Sequence, residues 1–222
     1  MVNLAVERIA EGIKASSINR EMTAISGMFT DLVDSGLYCG EHPIRGSGKL
    51  KEANTEMTYL ARDEISALLL ALDGDNRRVA VLCLSTGARW GEAIKLKAEH
   101  VIHNRVTFVQ TKNGKRRSVP ISQEVSDEIL SQKSGLLFPH ASYNDFREIL
   151  KATKPNLPHG QASHSLRHTF ATHFMMNGGN IITLQRILGH ARIEQIMNYA
   201  HFAPDFLQDA IFYNPLGGKI NV

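Results

Sequence analysis

The sequence predicts a mostly α-helical protein carrying a small antiparallel β-hairpin sheet. Apolar residues recur at three and four positions through most of the chain, which is the spacing of a helix face turned to a core. Between Arg105 and Ile121 the period changes to two, with Asn113-Gly114 in the middle, the strongest short-range hairpin signal. At 222 residues, 43% hydrophobic and 21% charged, the chain can bury a full core and is not a disordered polymer.

The elements follow in order. A short helix is expected over Leu4 to Lys14. A longer amphipathic one runs from Ile18 to Gly36, with Ile18, Met22, Ile25, Phe29, Leu32 and Val33 on one face and Gly36 as its stop. His42-Pro43 closes this unit, and Arg45-Gly46-Ser47-Gly48-Lys49 reads as a flexible polar connector. Two helices make a poor domain alone, so residues 1–50 are expected to be the C-terminal fragment of a larger helical domain, plus linker. The second unit, 51–202, opens with a helix in Thr58 to Leu72, where acids at the start precede Ile65, Leu68, Leu69 and Leu72. Arg77 to Leu84 reads as a buried helix that breaks at Thr86-Gly87, and Trp90 to Lys97 as another, which places Arg89 at a helix entrance. After the hairpin, helical patterns return at Ser126 to Leu130, Ser142 to Ala152, Ser165 to Asn177, Thr183 to Leu188 and Glu194 to Ala200. A tail, 203–222, carries Phe206, Leu207, Ile211, Phe212 and Tyr213, too much apolar surface to stand exposed.

Apolar stretches such as Val79 to Leu84 are too short to span a bilayer, and the N-terminus lacks the order of a signal peptide. Cys39 and Cys83 read as reduced thiols, so a cytoplasmic location is expected. The net charge of +3 is a weak hint of a polyanionic partner. Its distribution says more: from Arg77 to Arg117 basic residues outnumber the acids Glu92 and Glu99, either as a solvated face or as a phosphate-binding one.

One ordered set of residues goes further. Thr86-Gly87-Ala88-Arg89-Trp90-Gly91-Glu92 is followed by Lys112 beside the hairpin turn, by His164-Ser165-Leu166-Arg167, by Leu188-Gly189-His190 and by Tyr199. This set resembles the catalytic domain of tyrosine recombinases, the phage integrase family, over about residues 55 to 202, and Ile18 to Pro43 resembles the end of that family's helical core-binding domain. The resemblance implies the integrase catalytic fold. It also implies site-specific recombination at double-stranded DNA attachment sites through a 3′-phosphotyrosyl intermediate, by a homo-tetramer aided by accessory DNA-bending proteins.

The chemistry suits those residue types. Attack on a phosphodiester builds charge on its non-bridging oxygens, which guanidinium forks match, so Arg89 and Arg167 are the expected stabilisers. Losing one such preorganised donor costs about 2.7–4 kcal/mol. The plainer reading of Arg89 is a surface ion pair with Glu92, worth about 0.5 kcal/mol; Glu92 itself is expected to orient the site. Tyr199 is the expected nucleophile, and its phenol, with a pKa of about 10, needs positive neighbours to favour the phenolate. His164 is the first candidate for proton transfer and His190 for a hydrogen bond to phosphate, although either imidazole titrates near working pH. Lys112 matches the hairpin lysine that, in the family, protonates the departing 5′-oxygen; Lys115 is its competitor. Lys115, Arg116 and Arg117 are expected to meet the DNA backbone.

His168, His173 and His201 read as packing or surface residues, because no His-Glu-x-x-His or Cys/His set accompanies them. Phosphotyrosyl chemistry keeps the bond energy for religation, so neither metal nor cofactor is expected. Two rival readings stay open: type IB topoisomerase-like relaxation, and a DNA-binding module whose constellation is inert. Whether the tail docks in its own protomer or on a neighbour is open as well.

Overall fold

The computed structural model describes residues 7–51, 57–109, 116–158 and 160–204, with Ala210 and Pro215. The chain divides into two compact units, Met1–Glu56 and Met57–Val222.

In the first unit residues 7–10 are helical; the rest of the expected Leu4 to Lys14 helix lies partly outside the described residues. The long helix, α1, is Ala15–Asp34. It buries Ile18 and Asn19. The Asn19 amide donates to the Leu50 carbonyl at 2.9 Å and accepts from the Leu50 N–H at 2.8 Å. The segment expected to be a free connector is therefore tied to the helix at its far end, with Ile44 also buried.

The second unit is built around α3. Helix α2, Arg62–Ala71, precedes α3, Gly74–Thr86, in which Val79, Ala80, Leu82 and Cys83 are fully buried. Helix α4 follows as a single turn, Trp90–Ala93. It stops short of the expected Lys97. The chain leaves the helix to bond across to a later loop, with the Leu137 N–H donating to Leu96 O at 2.9 Å and a bridge between Lys97 and Leu136.

The sheet has three antiparallel strands in the order β1 (Val101–Ile102), β2 (Arg105–Phe108), β3 (Arg117–Pro120). Val106 faces Val119 and Phe108 faces Arg117 in the expected hairpin, whose tip, including Lys112 and Lys115, lies outside the described residues. Strand β1 was not expected. It joins β2 through His103-Asn104, both at positive φ (46° and 54°), as the tight turn between twisted strands requires.

Among the described residues the helices that follow are α5 (Gln123–Ile129), α6 (Tyr143–Thr153), α7 (Ala162–Met176), α8 (Ile181–Leu188) and α9 (Glu194–Met197). Serine caps start α5 and α6 and Asn180 caps α8, each side chain accepting from a backbone N–H in the first turn. The expected helix to Ala200 is interrupted. Tyr199 sits between α9 and a 3₁₀ turn, Ala200–Phe202. One apolar cluster gathers α2 to α6, the start of α7 and the sheet, and a second gathers Ala171, Met175, Leu184, Leu188, Ile196 and Tyr199. No described helix is long and apolar enough to cross a membrane.

Candidate active site

The site begins where α3 ends. Gly87 caps the helix at φ 66°, its N–H donating to Cys83 O at 2.9 Å. A Cβ at Gly87 would lie 2.4 Å from Leu188 Cδ2 and 2.6 Å from Phe170 Cδ1, so the turn needs glycine for both conformation and space. That turn delivers Arg89 to the entrance of α4, the expected position. Glu92 Oε2 accepts from the Arg89 backbone N–H at 3.1 Å, and Glu92 Oε1 accepts from the Arg89 guanidinium at 2.9 Å.

The ion pair between Arg89 and Glu92 thus exists, but it is not the isolated surface pair of the plainer reading. Glu92 is only 8% exposed, and its Oε2 also accepts from Arg117 Nη2 at 2.7 Å. Burial by itself would raise the Glu92 carboxyl. The Arg117 hydrogen bond and charge, joined by those of Arg89, outweigh it and hold the group at about 2.

Arg117 departs from its expected place. It was read as a DNA-backbone contact with Lys115 and Arg116, yet it is buried on β3, paired with Glu92 and laid over the Phe108 ring at 4.4 Å. Alternation along the strand explains the difference. Arg117 and Val119 face inward, while Ser118 and Pro120 face out. Arg116, just outside the strand, is exposed.

Helix α7 supplies Arg167, which is 3% exposed. Its Nη1 donates to Gly87 O at 2.9 Å; its Nη2 donates to Leu188 O at 2.7 Å and lies 2.6 Å from His190 Nε2. One guanidinium therefore ties the ends of α3 and α8. Burial, then the charges of Arg89 and Arg117, bring it down to about 9, so it stays cationic at neutral pH. Gly189, at φ 68°, ends α8 and turns the chain so that His190 follows at once. Burial first, and then Arg167, Arg89 and Arg117, push His190 down to about 4. Its ring is thus neutral. With Nε2 accepting from Arg167, the proton belongs to Nδ1, which is buried with no hydrogen-bond partner among the described residues.

Tyr199 is 2% exposed. The charges of Arg167 and Arg89 reach its phenol and lower its pKa, but burial is the larger effect and the net shift is upward. The positive surroundings were expected to win. In the free protein they do not, because the phenol is packed among Leu188, Ile196 and their neighbours. Its hydroxyl lies 2.6 Å from Nδ1 of His168. That histidine was read as packing or surface, and nothing in the linear motif marks it except that it follows Arg167. His164, one helical turn earlier, is exposed, with its ring centroid 6.0 Å from that of His168. Of the other two histidines, His173 Nε2 donates to Leu60 O at 2.8 Å, and His201 is exposed with its ring tilted against Phe202. Among the described residues no cluster of His, Cys, Asp and Glu is arranged to hold a metal ion.

Residues 58–205 match the family described as Phage integrase family, and residues 1–51 match Phage integrase, N-terminal domain. The chain belongs to the phage integrase family. It is 65% identical to the integrase of Escherichia phage P2 over 211 residues, which is 95% of this chain and 63% of that protein. It is 43% identical to the integrase of Escherichia phage 186, covering 92% of this chain and 62% of the relative. This integrase-family chain thus spans somewhat less than two thirds of those relatives' length. Its fold is that of the catalytic domain of bacteriophage HP1 integrase, with a TM-score of 0.68 and 45% identity over 72% of this chain and 97% of that one.

Proposed function

We propose that this chain is the catalytic part of a site-specific DNA recombinase of the prophage integrase type, which cleaves and rejoins DNA through a 3′-phosphotyrosyl intermediate. The observation that carries the reading is the convergence on Arg167. One buried guanidinium joins the turn that leads to Arg89, the end of the helix that leads to His190, and the field acting on Tyr199.

In this reading Arg89 and Arg167 stabilise the charge that develops on the non-bridging oxygens. His190, neutral and with its proton on Nδ1, donates to one of them. Tyr199 attacks the phosphorus, and Lys112 at the hairpin tip protonates the departing 5′-oxygen. Glu92 and Arg117 set the position of Arg89. Lys115 and Arg116 meet the DNA backbone. The first unit, about 1–50, is the end of a helical DNA-binding domain. The assembly is a homo-tetramer on double-stranded attachment sites, assisted by DNA-bending proteins. Family membership and the two integrase relatives support the substrate class.

A nicked suicide duplex, from which the cleaved end diffuses away, tests the reading. The wild-type chain should give a covalent protein–DNA band and Tyr199→Phe should give none. A band that survives Tyr199→Phe would refute the nucleophile, and no band from wild type under any condition would refute the catalytic reading.

A further inference from the structure

We propose that His168 Nδ1 accepts the hydrogen bond of the Tyr199 hydroxyl in the free protein and takes its proton as the tyrosine attacks DNA. The proposal rests on the reading of Tyr199 as nucleophile given above, and assigns the proton acceptor that reading leaves open.

The geometry comes first. The 2.6 Å separation of His168 Nδ1 and Tyr199 Oη is that of a strong hydrogen bond. Tyr199 is 2% exposed and closes the second apolar cluster, and His168 is half-buried beside it, so the contact is not a chance meeting of surface side chains. His168 directly follows Arg167 on α7, so the helix that fixes the phosphate-binding guanidinium also fixes this ring. A single rigid element thereby aligns the acceptor with the charge that orients the scissile group.

The electrostatics of the free protein make His168 an acceptor, and its basicity has to rise before it can take the proton. Burial first, then the charges of His164 and Arg167, hold His168 down at about 4, so at neutral pH it is an uncharged ring able to accept. One of those depressing charges changes when DNA arrives. A phosphodiester seated on Arg167 offsets the guanidinium and raises the basicity of His168 at the moment the phenol must lose its proton.

The step balances as follows. A lone pair of Tyr199 Oη forms the bond to phosphorus while the bond from phosphorus to the 5′-oxygen breaks. The phenolic proton passes to His168 Nδ1, making an imidazolium, and the 5′-oxygen takes a proton from Lys112. Religation runs the same transfers backward.

Two measurements test this. In the ¹⁵N-labelled free protein, His168 should be the Nε2–H tautomer, with an Nδ1 resonance that moves in Tyr199→Phe; an Nδ1–H tautomer would overturn the proposal. Single-turnover cleavage of the suicide duplex is then compared for wild type, His168→Ala and His168→Asn. The asparagine oxygen occupies nearly the place of Nδ1 and accepts a hydrogen bond but no proton. Both variants, with melting temperature and DNA affinity like wild type, should cleave about 100-fold more slowly. On a duplex whose scissile 5′-oxygen is replaced by sulfur, the leaving group needs no proton. There the His168→Asn defect should persist while that of Lys112→Ala is recovered. His168→Asn at the wild-type rate, or rescued by sulfur, would overturn the proton transfer. A wild-type protein with the expected tautomer and no covalent band would defeat the recombinase reading and the transfer with it, leaving only the hydrogen bond.

Discussion

Arg117 Nη2 donates to Glu92 Oε2 at 2.7 Å, and the two side chains are 6% and 8% exposed. This buried pair links the sheet to the helix entrance that carries Arg89. Because Glu92 also accepts from the Arg89 backbone and guanidinium, it transmits the position of the sheet to a residue expected at the phosphate.

Breaking that pair from one side should be costly. Arg117→Ala leaves a carboxylate buried with one partner fewer and should destabilise the protein by about 3–5 kcal/mol, read as a shift in the urea midpoint. Arg117→Lys should recover only part of it, since an ammonium neither forks to the carboxylate nor lies flat on Phe108. An unchanged midpoint for Arg117→Ala would show that the pair contributes nothing net.

Gly87→Ala should reduce cleavage by at least about tenfold, because the added methyl strains a positive-φ residue and displaces the carbonyl that holds Arg167. Gly91→Ala is the matched control. Gly91 lies in α4 with nothing within 4 Å of an added Cβ, and its variant should match wild type in a covalent-complex assay.

Arg167→Lys should lose about 10²- to 10³-fold in single-turnover cleavage. A lysine cannot span Gly87 O, Leu188 O and His190 Nε2 from one planar group, and the helix ends it joins should loosen. Amide exchange near Gly87 and Gly189 should quicken in parallel; equal protection in both proteins would contradict the bridging role.

Acid should weaken the fold in two windows. His168 and His190 stay neutral down to about 4, whereas an unfolded histidine takes up its proton near 6.5. Their contribution is whole above about 6.5 and declines as pH falls to about 4, because there the unfolded chain binds more protons. Glu92, held near 2, adds a second decline between about 4.5 and 2. Melting temperatures across pH should show the first decline flattened in a His168→Asn, His190→Asn double variant; an identical profile would refute the assignment.

The helices and the hairpin could be read from spacing alone, since burial of one face imposes a period on the residues. The order of Arg89, Arg167, His190 and Tyr199 could be read as well, and with it a list of candidates for contact with one phosphodiester. Pairings between distant segments could not. Arg117 looked like its basic neighbours until strand alternation turned it inward beneath Glu92, and His168 looked like packing until a phenol 31 residues away met its Nδ1.

Strand β1 escaped notice for a related reason: two residues carry no measurable period, and they pair only because the His103-Asn104 turn brings them beside β2. Local pattern records which face of an element seeks a core. Which side chain a buried arginine or tyrosine meets there, and so whether its charge or its proton is retained, depends on desolvation and on neighbours that only the folded arrangement supplies.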